Sequence, residues 1–106
     1  FPGTWDIESG GTFTFNSDGT GYSLNTTESM YQSFCAQGDT SYFNWTATPD
    51  SDGSSKGNLR VDFVEDDQMT ACGYLEIAYT IKGNKKVQLG AQVLGIGFTD
   101  DLTKQK

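Results

Sequence analysis

Histidine is absent from the chain, which removes imidazole acid–base catalysis and every histidine-ligated zinc or copper site. Lysine and arginine are absent from residues 1–55, where seven acids stand alone; the first base is Lys56 and the one arginine is Arg60. From Lys56 onward seven bases balance seven acids, so the formal charge of −7 is set by the first half. Such a balance disfavours nucleic acid and anionic lipid as partners, since both reward clustered Lys and Arg. No apolar run approaches the roughly 20 residues of a membrane helix; the longest, around Val93 to Phe98, is broken by glycine. There are two cysteines, not spaced as Cys-x-x-Cys, which sets thiol redox catalysis aside. The chain opens on Phe1 with neither Met nor a charged-then-apolar leader, so it is read as exported, with a leader or lipid anchor removed.

What remains is short and ring-rich. The 106 residues allow one domain with one modest core, taken as residues 1–106. The hydrophobic share is low at 35%, but the aromatic share is 13%, which points to a small core built from large rings.

Alternation is the dominant local signal. In Gly11–Asn16, Phe13 and Phe15 fall on one face and Thr12 and Thr14 on the other. Ser17-Asp18-Gly19 then supplies a turn, and Gly21–Leu24 resumes the alternation, which is the pattern of a hairpin. Further strands are expected over Gly3–Ile7, Tyr42–Ala47, Leu59–Val64, Leu75–Ile81, Val87–Leu89 and Val93–Thr99, with a turn at Lys82–Lys85. About eight short strands joined by Gly, Asp, Asn and Ser turns describe an all-β antiparallel fold, as a sandwich or a barrel. Thr27–Ala36 breaks the pattern: Met30, Tyr31 and Phe34 have helical spacing, so a loop with one helical turn is expected.

Cys35 and Cys72 are read as a disulfide in an oxidising compartment. Closing a loop of about 38 residues stabilises a small fold by roughly 3–4 kcal/mol on the chain-entropy view. The acidic groups Asp50-Ser51-Asp52-Gly53-Ser54, Glu65-Asp66-Asp67 and Asp100-Asp101 are read as solvated turns; the first lacks the distal carboxylate that would close a calcium shell. Asp62 and Glu76 face each other on predicted strands, but nothing marks them as a hydrolytic pair. The Asn25 and Asn44 acceptor patterns for glycosylation carry no information without a eukaryotic source. Tyr42, Tyr22 and Tyr74 are placed outward, where a row of rings would offer a stacking platform for sugar.

Gly3-Thr4-Trp5 at the head of the first strand resembles the Gly-x-Trp motif of the lipocalins and the wider calycin superfamily. Thr12–Phe15 followed by Asn16–Gly21, then Phe43–Thr46, then Tyr79–Ile81 are similar in order to small secreted lipocalin-like proteins of bacteria. The resemblance spans Gly3 to about Lys104 and implies an up-and-down barrel of about eight strands. It also implies that Trp5 packs across the closed end, where lipocalins lay an arginine over it. Here only Lys104 or Lys106 is at hand, so that cation–π lid is expected to be weak or missing. Fatty-acid-binding proteins fit less well, because Ser9-Gly10-Gly11 leaves no room for their helices and Arg60 is the only arginine.

These readings lead to a non-catalytic secreted barrel that binds a small apolar ligand or serves as an accessory surface module, with no cofactor and no metal. Ligand-cavity candidates are Phe15, Phe43, Trp45, Phe63 and Tyr79; structural candidates are Trp5, Cys35 and Cys72. Two alternatives stay open. One is an immunoglobulin-like or carbohydrate-binding adhesion sandwich, prompted by the Cys35, Trp45, Cys72 order. The other is a protease inhibitor acting through its N-terminal residues or loop 49–57. In an up-and-down barrel the base-free half becomes an acidic flank, which suits a cationic or neutral partner.

Overall fold

The computed structural model describes residues 2–27, 31–32, 35–36, 38–65, 67, 69–93 and 96–105. Eight strands follow one another: β1 (Gly3–Ile7), β2 (Thr12–Phe15), β3 (Thr20–Leu24), β4 (Thr40–Pro49), β5 (Lys56–Val64), β6 (Ala71–Gly83), β7 (Lys86–Val93) and β8 (Ile96–Lys104). Each pairs antiparallel with the next, and β8 returns to β1 through Trp5 opposite Lys104 and Ile7 opposite Leu102. The sheet is a closed up-and-down barrel, so no edge strand is left to pair with another chain. Closure in one sheet overturns the sandwich alternative. The cysteine pair joins a loop to β6 and does not staple two facing sheets.

The alternation read from the sequence is what sorts inside from outside. Phe13 and Phe15 on β2, Phe43 on β4, Leu59, Val61 and Phe63 on β5, Ile77 and Tyr79 on β6, and Val87 and Leu89 on β7 all join one buried cluster. Trp5, Ile7, Tyr31 and Leu102 complete it. Burying one such side chain contributes about 1.5–3 kcal/mol. Two inward positions are glycine, for the same reason. A Cβ on Gly21 would lie 2.6 Å from Phe43 Cε1, and one on Gly57 would lie 2.5 Å from the Tyr79 hydroxyl. In both cases the cross-strand partner's ring covers the empty position.

The last strand departs from expectation. Val93 ends β7 and pairs with Ile96, so the apolar run around it makes a hairpin, and β8 continues to Lys104. Asp100 and Asp101 therefore lie within a strand, not in a turn. Asp100 points inward and is buried, while Asp101 faces Lys86 across the outer surface at 3.5 Å. Half of the expected helical turn in 27–36, Met30 and Phe34 included, lies outside the described residues.

Alternating strand directions define two poles. One gathers the β1–β2 turn, the 25–39 connection and the 65–70 loop; the other gathers the N-terminal strand start, the 16–19, 50–55 and 84–85 turns, and Lys104.

Candidate functional site

Four of the five cavity candidates, Phe15, Phe43, Phe63 and Tyr79, are buried in the common core, and Trp45 packs half-buried against it. The rings meet one another in tilted and edge-on contacts. Phe15 lies 5.6 Å from Phe43 and 5.3 Å from Trp45 between centroids; Phe43 lies 6.3 Å from Phe63. These are the separations of favourable aromatic pairs. Trp45 closes the column toward the termini. Its indole N–H donates to the carbonyls of Asn16 (3.0 Å) and Thr20 (3.1 Å), and so ties β4 to the β2–β3 turn. That turn is braced by Asp18, whose carboxylate accepts from the Thr20 hydroxyl and N–H; these bonds hold its pKa below the usual value. Burial, reinforced by the charge of Asp50, pushes the Tyr79 phenol up from its ordinary value.

The opposite end of the column is closed by Tyr31, which composition did not single out. It is fully buried, with its ring edge-on to Phe13 at 4.9 Å. Its hydroxyl donates to Asp100 Oδ2 at 2.9 Å, and its carbonyl accepts from the Ser23 hydroxyl. Asp100 also accepts from the Ser9 N–H (3.0 Å) and hydroxyl (2.6 Å), so the buried carboxylate is well supplied with donors. The Thr27 hydroxyl donates to the Ser9 carbonyl, which draws the connection onto the β1–β2 turn. The Cys35–Cys72 disulfide fastens the same connection to β6, with Cα atoms 6.1 Å apart. Asp67 stabilises the neighbouring loop by accepting from the N–H groups of Thr70 and Met69 and the Thr70 hydroxyl; those bonds lower its pKa.

At the terminal pole Lys104 Nζ lies 5.8 Å from the centroid of Trp5. Of the two expectations for the lid, weak or missing, the weak one holds: lysine takes the place over the indole, at the outer limit of a cation–π contact. Lysine reaches it because β8 runs to residue 104 in register with Trp5. Beside them is a recess of about 210 Å³ lined by Trp5, Ile81, Gly83, Asn84, Val87 and Lys104. None of the five cavity candidates lines it.

The outer surface of β3–β6 carries a third feature. Tyr22 and Tyr42 are cross-strand partners, and Tyr74 on β6 pairs with Asp62, which in turn pairs with Asn44 next along β4. Tyr74 is 63% exposed and Tyr22 36%. Arg60 lies over the Tyr74 ring at 4.4 Å and binds Asp62 (3.0 Å) and Glu76 (3.3 Å). The two carboxylates that faced each other in the sequence reading are thus brought together by one guanidinium, on an open surface. The outward tyrosines were legible from alternation; the arginine that lies over Tyr74 was not, since it depends on the β5–β6 register.

No protein-family model, curated protein or solved structure matches the chain. No helix among the described residues is long and apolar enough to cross a membrane.

Proposed function

We propose that the chain is a secreted, non-catalytic, lipocalin-like module of the calycin superfamily and of bacterial type, an accessory surface protein that meets its partner on the outside of the barrel. The observation that carries this reading is the ring column from Trp45 to Tyr31: the interior that a lipocalin-like carrier would give to a ligand is occupied by the chain's own side chains. An eight-stranded barrel is just wide enough for such filling. The disulfide supports an oxidising, extracytoplasmic setting. Acidic character and the absence of bases before Lys56 support a neutral or cationic partner.

Titration with the neutral solvatochromic dye Nile red tests the reading. The wild type should give no saturable blue-shifted emission; one-to-one saturable binding would overturn it. The recess at the terminal pole favours a second reading, a small apolar ligand with an anionic end set against Lys104. Anilinonaphthalene sulfonate probes it: binding lost on Ile81→Asp would support it, and no binding to the wild type would end it.

A further inference from the structure

The outer tyrosines have a composition and setting that select among partners. Their rings are carried on three of four consecutive strands, β3, β4 and β6, so strand pairing fixes their spacing. Tyr22 and Tyr42 sit one strand apart, and Tyr42 and Tyr74 two strands apart and two residues out of step, roughly 5 and 12 Å along the sheet. Asn44 and Asp62 stand between Tyr42 and Tyr74, and Glu76 follows Tyr74 on β6; the Asp62 and Glu76 side chains are 45% and 50% exposed.

This arrangement argues against a protein interface, whose centre is depleted of charge and dry. Here Asp62 stands between Tyr42 and Tyr74, and Arg60 and Glu76 flank Tyr74. It argues equally against an anionic polymer. Arg60, the cation beside Tyr74, is already shared by two carboxylates; Lys56 and Lys82 stand at the far ends of β5 and β6, and strands β1–β4 contribute no base. A small apolar ligand needs concavity, which a barrel's outer wall lacks. A neutral sugar chain meets every term. Its C–H faces stack on phenol rings at spacings of one and two residues, and its hydroxyls donate to carboxylates and exchange bonds with an amide. Arg60 lies against one side of Tyr74 and holds the ring in place, so most of its exposed area is the opposite face and the edge.

We propose that the outer face of β3–β6 is a binding strip for a neutral polysaccharide, with Tyr22, Tyr42 and Tyr74 as stacking platforms and Asn44, Asp62 and Glu76 as partners for its hydroxyls. The inference rests on the outside-binding reading and names the partner class for it.

Affinity electrophoresis through native gels cast with galactomannan, xyloglucan or laminarin, and with alginate as the anionic counterpart, tests it. Retardation in at least one neutral gel and none in alginate is expected. Tyr74→Ala should weaken the interaction about tenfold, as loss of one aromatic contact does. Glu76→Gln should weaken it less, and both variants should keep the wild-type melting temperature. Unretarded migration in all neutral gels, or full retardation of a folded Tyr74→Ala variant, would overturn the proposal. Either result, with Nile red still unbound, would leave the outside-binding reading standing; saturable dye binding would remove that reading whatever the gels show.

Discussion

Tyr42 and Phe43 are neighbours on β4 and belong to two different aromatic systems. Phe43 points inward, is fully buried and touches Phe13, Phe15 and Phe63. Tyr42 points outward and is half-buried, with Tyr22 on one side and the buried Val64 on the other. The inner system is mostly phenylalanine; tyrosine enters it at Tyr31, where the hydroxyl reaches Asp100, and at Tyr79, packed over Gly57. The outer rings described are all tyrosine, set among Asn44, Asp62, Arg60 and Glu76. The period of two divides one residue class into a part that holds the barrel together and a part that is left for contact. The division assigns different consequences to substitutions only one residue apart.

The largest effect belongs to the inner column. Phe43→Ala should cost about 3–5 kcal/mol in denaturant unfolding, from lost burial and the void left between β2 and β5. A loss below about 1 kcal/mol would mean the rings are loosely packed and the division false. Replacing both Cys35 and Cys72 by Ser should cost roughly 2–4 kcal/mol. It should also release the connection that carries Tyr31, read as a loss of near-ultraviolet circular dichroism before global unfolding.

A smaller effect concerns the Tyr79 phenol and pH. The raised Tyr79 pKa means that the folded state keeps its proton where the unfolded state has lost it. Its stabilising contribution is therefore full below the unfolded tyrosine value of about 10 and is lost as pH rises through the folded value. The fall in melting temperature above pH 10 should be shallower in Tyr79→Phe than in the wild type. Smallest of all, Tyr74→Ala should move stability by no more than about 0.5 kcal/mol, as surface substitutions do.

The strands were legible because inward and outward positions alternate through β2 and most of β4, β5 and β6; the choice of barrel over sandwich came from the lipocalin resemblance, since alternation is common to both. The disulfide was legible from a count of two. Three features were not, and each depends on distant register. Asp100 looked like a turn residue, because nothing nearby in sequence reveals Ser9 and Tyr31 as its donors. Tyr31 sits in a segment whose helical spacing gave no sign that its ring would close the core. Lys104 was one of two lysines at hand for Trp5, and only the closing pair of β8 with β1 sets it opposite the indole. At the surface, alternation gave the tyrosines, while the ion cluster beside Tyr74 came from pairing β5 with β6.

Whether the interior is filled is tested most directly by thermal unfolding with and without saturating benzene, on the wild type and on Phe43→Ala. A filled barrel predicts an unchanged wild-type midpoint and a rise of several degrees in the variant, whose new void takes the ligand. A wild-type rise as large as the variant's would show that the native barrel already holds a ligand-sized space, and would contradict the division between a structural interior and a functional exterior.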